Sequence, residues 1–190
     1  MAVKNIMIVG VGGQGSLLAS KLLGHLLLSK GYDVKVSEVH GMSQRGGSVV
    51  TYVRFGNKVY SPIIDQGEAD LIVSFELLEA ARWLPYLRPD GRIVTNTQQM
   101  DPMPVITGAA VYPEHLVEKL QGMASVDAID CLSLATQAGS ARAVNIVLMG
   151  RLSRYFDFSV EDWMRSLEAC VPPKFLALNQ RAFALGRGND

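Results

Sequence analysis

Residues 4–39 read KNIMIVGVGGQGSLLASKLLGHLLLSKGYDVKVSEV, and this order constrains the fold more than any other part of the chain. Residues 4–9 form a short apolar run rich in β-branched side chains, the pattern of a buried strand. GVGGQG follows at 10–15. Residues 16–30 are apolar around most of a helical circumference, so they read as a helix buried against a sheet. Gly31 ends that helix, and residues 33–39 form a second strand. The opening is therefore strand, glycine loop, helix, strand.

Gly10, Gly12 and Gly15 stand at the GxGxxG spacing. Glycine here lets the chain turn sharply and lets a phosphate approach the helix N-terminus, where free N–H groups and the helix dipole favour negative charge. Glu38, at the end of the second strand, stands where an acidic residue bonds a ribose in dinucleotide folds. One reading is therefore a stand-alone NAD(P)- or flavin-binding oxidoreductase. Another is that the glycines serve strand–helix packing alone. The continuation weakens the first reading. A dinucleotide domain passes from its second strand into a crossover helix, whereas this chain runs into HGMSQRGG at 40–47.

That segment has the composition of a binding loop. Arg45 carries a permanent charge and a planar fork of donors suited to carboxylate or phosphate. Ser43 and Gln44 can donate to the same anion, and Gly46 and Gly47 allow close backbone approach. His40 reads as a structural histidine and Met42 as a packing or interface residue. At the carboxyl end of a strand, the loop should face the same crevice as Gly12–Gly15.

Residues 48–54 read as a strand, 55–58 as a hairpin turn and 59–64 as the returning partner, with Pro62 marking an edge. Alternation then resumes: strand 69–75, helix 76–87, turn 89–91 and strand 92–96. A loop at 98–104 precedes a short strand within 105–112, a helix at 113–121 with Pro113 in its first turn, and a strand at 124–130. The last third is helical, over 132–138, 142–156, 159–170 and 174–185. No repeat or linker interrupts the chain. The expected architecture is α/β: one domain over 1–190, Rossmann-like, with a mostly parallel doubly wound sheet, an inserted β-hairpin and a helical C-terminal third.

The chain has 190 residues, with 18 Lys plus Arg balanced by 18 Asp plus Glu. A zero formal charge gives no electrostatic footprint for nucleic acid or an anionic membrane. No apolar run approaches the roughly 18 residues of a spanning helix. The N-terminus lacks the pattern of a signal peptide, so the cytoplasm is the expected location. Cys131 and Cys170, isolated and without a CxxC, read as buried thiols rather than a disulfide, zinc or cluster framework. Asp127 and Asp130 read as solvated or capping carboxylates. No GxSxG, HExxH or P-loop is present. These absences suggest a subunit that supplies part of a site; the alternative from another class is a non-catalytic assembly subunit that binds nothing small.

Several segments together resemble the gamma domain of 2-oxoacid:ferredoxin oxidoreductases: GVGGQG (10–15), EVHGMSQRGGSV (38–49), ADLIVSFELLEAARWLPYLRPDGRIVTNT (69–97) and ARAVNIVLMGRL (141–152). The closing VPPKFLALNQRAFALG (171–186) is most similar to the branch acting on indolepyruvate. The resemblance implies a subunit, inactive alone, of an enzyme that oxidatively decarboxylates a 2-oxoacid to an acyl-CoA. Coenzyme A is then the acyl acceptor and ferredoxin the electron acceptor. Thiamine diphosphate and the iron–sulfur clusters lie on a large alpha subunit, and this chain holds no cofactor by itself. Ser43, Gln44 and Arg45 match the active-site wall. Gly10, Gly12, Gly13, Gln14, Gly15, Glu38, Gly41, Gly46, Gly47 and Asn145 match the ligand-binding positions, and Phe75-Glu76 matches the pattern at the end of the middle strand. Without its partner, the chain could pair with a second copy through the apolar surface meant for the large subunit.

Overall fold

The computed structural model describes residues 2–40 and 46–188, with His40 described by its backbone alone. Six strands form one sheet: β1 (Lys4–Val11), β2 (Asp33–His40), β3 (Ser48–Gly56), β4 (Ala69–Ser74), β5 (Leu87–Asn96) and β6 (Ser125–Ile129). Their order is β2-β3-β1-β4-β5-β6. β3 runs antiparallel to both of its neighbours, while β1, β4, β5 and β6 pair in parallel. The mostly parallel α/β sheet expected from the alternation is therefore present.

Both faces are covered, which is why the central strands are apolar at successive positions. On one face, Ile6 and Ile8 pack with Leu22, Leu23, Leu26 and Leu27 of α1 (Ser16–Ser29). The same core takes in α5 (Cys131–Ala138), α6 (Val144–Leu152), α7 (Val160–Cys170) and α8 (Pro173–Arg187). On the other face, Met7, Val9, Ile72 and Ile93 meet Leu77 and Ala80 of α2 (Leu77–Trp83) and Leu116 and Leu120 of α4 (Leu116–Gln121).

The hairpin differs from expectation. Residues 59–64 form no strand; β3 instead pairs back onto β2. Both edges of β3 are occupied, so no ladder position remains for 59–64. Pro62 also lacks a donor. The segment buries Val59 and Ile64, and Ile64 joins the core that holds Met7, Val50 and Ile72. Arg54 replaces the ladder, donating to the carbonyls of Ser61 at 3.1 Å and Ile63 at 2.7 Å. Four smaller boundaries shift. The short strand expected within 105–112 is replaced by one helical turn, α3 (Met103–Ile106), which starts beside two prolines. The 113–121 helix begins only at Leu116, because His115 takes a left-handed φ of 55°. The 76–87 helix ends at Trp83, and 142–156 contracts to α6 between two 3-10 turns. The turn at 89–91 is an excursion inside β5, where the register shifts opposite Ala69 and Leu71.

The two late aspartates part ways. Asp130 caps α5, accepting from Ser133 N at 3.0 Å. Asp127 is buried, contrary to a solvated reading, and accepts from Arg151 Nε at 2.7 Å and Tyr155 Oη at 2.5 Å. Burial pushes its carboxyl up, but the bonds from Arg151 and Tyr155 outweigh that and hold it below the usual carboxylate range. A depressed folded-state pKa stabilises the protein above the unfolded value of about 3.9, and the contribution is lost as pH falls through the folded value. Asp127→Asn should therefore cost about 1–3 kcal/mol at pH 7. Urea melts should show the difference from the parent shrinking below about pH 4.

Candidate functional site

The glycine loop leaves β1 at the carboxyl edge of the sheet and opens α1. Its shape is held from inside. Gln14 Oε1 accepts from Val11 N at 2.8 Å, and Gln14 Nε2 donates to the Phe75 carbonyl at 3.1 Å. Gln14 thus ties the loop to the end of β4. Gly10 makes room for it, since a Cβ there would lie 2.8 Å from Gln14 Oε1. Gly15 is the N-cap of α1 at φ 89°, with no side chain capping the helix. Asn145 Nδ2 donates to the Gly15 carbonyl at 3.3 Å and would stand 2.5 Å from a Cβ on Gly15.

The second loop is laced to the first. Gly12 N donates to the Gly47 carbonyl at 2.8 Å, and Gly46 N to the Gly12 carbonyl at 3.4 Å. Gly12 therefore spends its N–H within the protein. The N–H groups of Gly13, Gly15, Ser16 and Leu17 have no acceptor among the described residues. They border a cleft of about 260 Å³ with Glu38 and Val49 on its far side. Glu38 forms no hydrogen bond or ion pair among the described residues, so the cleft sets helix-end donors opposite an available carboxylate.

Of the residues singled out from the sequence, Gly10, Gly12, Gly13, Gln14, Gly15, Glu38, Gly46, Gly47 and Asn145 gather around this edge. Gly41, Ser43, Gln44 and Arg45 lie outside the described residues. The register separates Glu38 from the dinucleotide arrangement. Glu38 pairs with Thr51 and Thr51 with Ile8, so β3 stands between β2 and β1. The carboxylate is two strand spacings from β1, roughly 10 Å, rather than one.

Two buried glutamates lie on the other side of the glycine loop: Glu76, which the sequence motifs singled out with Phe75, and Glu79, which they did not. Glu76 accepts from Glu79 N at 2.8 Å, Met100 N at 3.1 Å and Tyr112 Oη at 2.5 Å. Burial, and then Glu76 itself, raise the Tyr112 phenol well above its usual range. Glu79 accepts from the Ser48 hydroxyl and from Trp83 Nε1 at 3.3 Å, and pairs with Arg82 at 3.0 Å. The Glu-x-x-Glu spacing at a helix start was the available signal, since the first caps the N–H of the second. Ser48 follows directly on Gly46-Gly47, so Glu79 fixes the returning stem of the second loop. Ser48→Ala leaves a buried carboxylate short of one donor and should cost about 1–3 kcal/mol, measurable by denaturant melts.

The cysteines do not suit an iron–sulfur cluster. Cys131 and Cys170 are both free and buried, and burial raises both thiols above their usual range, so neither supplies an accessible thiolate. No group of His, Cys, Asp or Glu among the described residues is arranged to hold a metal ion. No helix among them is long and apolar enough to cross a membrane.

The glycine loop, the inserted antiparallel strand and the helical C-terminal third define the class. The chain belongs to the pyruvate ferredoxin/flavodoxin oxidoreductase family, whose model matches residues 5–188. Within it, the chain is 44% identical to indolepyruvate oxidoreductase subunit IorB of Thermococcus kodakarensis, over 96% of this chain and 93% of the relative. It is 43% identical to the IorB subunit of Pyrococcus horikoshii, with the same coverage. Among solved structures, pyruvate oxidoreductase subunit PORC of Thermotoga maritima matches with a TM-score of 0.75 at 21% identity, covering 98% of this chain and 96% of that one. The 2-oxoglutarate:ferredoxin oxidoreductase of Magnetococcus marinus, solved with 2-oxoglutarate, coenzyme A and succinyl-CoA bound, matches with a TM-score of 0.73 at 20% identity. This chain corresponds to 31% of that one. The two structures share the fold, and the resemblance read from the sequence motifs is borne out by the family and the IorB relatives.

Proposed function

We propose that this chain is the small, non-autonomous subunit of a 2-oxoacid:ferredoxin oxidoreductase acting on indolepyruvate or a related arylpyruvate. A large alpha subunit carries thiamine diphosphate, which supplies the decarboxylation chemistry, and the iron–sulfur clusters that pass electrons to ferredoxin. The small subunit walls the active site with Ser43, Gln44 and Arg45 and binds coenzyme A at the glycine-loop edge. The substrate branch rests on the names of the IorB relatives.

The cleft between α1 and Glu38 is the observation that carries this reading. Coenzyme A brings phosphates, which suit the free N–H groups of Gly13, Gly15, Ser16 and Leu17 at the positive end of α1. It also brings hydroxyl, amide and amino donors, which suit the Glu38 carboxylate. The two-strand offset of Glu38 from β1 counts against the alternative of a stand-alone NAD(P)- or flavin-binding enzyme.

Gly13 sits at φ 101°, and a Cβ added there would have no other atom within 4 Å. Space is open there, but the left-handed φ strains any L side chain, so a substitution reshapes the loop backbone that presents these N–H groups. In the assembled enzyme, Gly13→Val should raise KM for coenzyme A at least about tenfold and leave KM for the 2-oxoacid within about twofold, as expected when one reactant's contacts alone are lost. An unchanged coenzyme A dependence would remove the glycine-loop edge from its binding.

A further inference from the structure

A second cavity, of about 560 Å³, opens at the opposite end of the sheet. It lies at the Lys4 end of β1, whereas the glycine loop lies at the Val11 end. The strand is 8 residues long. At about 3.3 Å per residue the two sites are therefore more than about 20 Å apart. The volume falls in the range of small-molecule clefts, about 300–1,000 Å³.

Its floor is apolar, formed by Ile6 and Leu71 of neighbouring parallel strands. Its walls are aromatic. Tyr32 meets Phe55 edge-on with centroids 5.3 Å apart, and Phe156 stacks on Phe158 at 5.6 Å. Phe55 and Phe156 join the two pairs at 6.3 Å. Rings that brace one another in this way present a preformed surface for a planar apolar group.

Of the charged side chains on the lining, Lys4, Asp70, Arg88 and Asp90 pair among themselves, while Arg92 and Asp157 have no ion pair among the described residues. Arg88 is held by Asp70 at 2.8 Å and by Asp90 at 2.5 Å, and Lys4 by Asp70 at 3.1 Å. Arg92 differs. It has no carboxylate partner among the described residues and lies over the Tyr155 ring at 4.7 Å, with a long 3.5 Å contact to the Tyr155 hydroxyl. Stacking on a ring occupies the face of a guanidinium and leaves its in-plane N–H groups free for a bidentate carboxylate. Tyr155 is fixed in turn by its 2.5 Å bond to Asp127.

We propose that this cavity is a second ligand site, which takes a small aromatic carboxylate with its ring among Tyr32, Phe55 and Phe156 and its carboxylate on Arg92. Either a free aryl acid or an aromatic amino acid carries this chemistry. Phenylacetate and phenylalanine separate the two sources, because only the second brings an ammonium group toward Asp157 at the mouth.

The test is calorimetric titration of the full chain with phenylacetate, phenylalanine and phenylacetamide, followed by methyl NMR. A carboxylate should bind at least about tenfold more tightly than the neutral amide, the scale of a hydrogen-bonded charge. The methyl signals of Ile6 and Leu71 should shift, and Arg92→Gln should abolish the preference without lowering the melting temperature by more than a few degrees. If that variant fails to fold, the acid–amide preference and the methyl shifts of the parent chain decide alone. Equal binding of acid and amide, shifts confined to the glycine-loop end, or loss of binding in the complex purified with its large partner would each overturn the proposal.

Discussion

Gly186→Ala is expected to lower the melting temperature by about 6–12 °C. The cause is a backbone-to-backbone crossing of α6 and α8. A Cβ on Gly186 would lie 1.9 Å from the Val147 carbonyl oxygen, and one on Gly150 would lie 2.1 Å from the Phe183 carbonyl oxygen. Neither neighbour is a flexible side-chain tip, so the helices must separate. That disturbs the core that holds Ile146, Val147, Ala182 and Phe183, all fully buried. Overpacking of this kind costs up to about 3 kcal/mol, and a chain of this size loses roughly 2–4 °C per kcal/mol. Gly24 supplies the control. It lies within α1, and its Cβ would only touch Val36 Cγ2 at 4.0 Å. Gly24→Ala should therefore gain about 0.5–1 kcal/mol through helix propensity. Thermal melts of the two variants should move in opposite directions. A Gly186→Ala protein that melts with the parent would show that the helices do not cross this closely.

Arg45→Ala is expected to reduce kcat of the assembled enzyme by at least about 10²-fold, the scale of losing a preorganised donor or misplacing a reactant by about an ångström. Arg45 immediately precedes Gly46, and the stem that follows it is fixed at three points. Gly46 and Gly47 bond to Gly12, and Ser48 bonds to Glu79. None of those anchors uses the Arg45 side chain, so the substitution should leave the fold intact. Arg45→Lys should recover only part of the rate, because an ammonium is a point charge and not a planar fork. Steady-state kinetics beside a melting curve decides. A rate within threefold of the parent would remove Arg45 from the active-site wall.

The strand–loop–helix opening was legible because its signals are local. An apolar run, three spaced glycines and an apolar helix succeed one another within 30 residues or so, and each dictates its own conformation. The same logic misplaced the hairpin. Residues 59–64 have strand composition, but whether they pair depends on a free edge, and β2 had already taken it. The buried glutamates depend on distant donors. Tyr112 lies 36 positions from Glu76 in the chain, and Ser48 lies 31 from Glu79. Gly150 and Gly186 look like ordinary weak points of two helices until the helices cross. Asp127 and Asp130 are three residues apart and of one type, yet Arg151 and Tyr155 separate their roles. At the candidate site, the positions of the glycines were readable, whereas the internal duty of Gln14 and the spent N–H of Gly12 required the fold.

If this chain completes a 2-oxoacid oxidoreductase, it should be found with its large partner in the cell. The most direct measurement is an anaerobic pull-down of the tagged chain from its native host, followed by dye reduction with arylpyruvates, with and without coenzyme A. The expected result is a brown complex with one large partner, and reduction that requires both an arylpyruvate and coenzyme A. A colourless chain that returns alone and binds NAD(P) or a flavin tightly would contradict it.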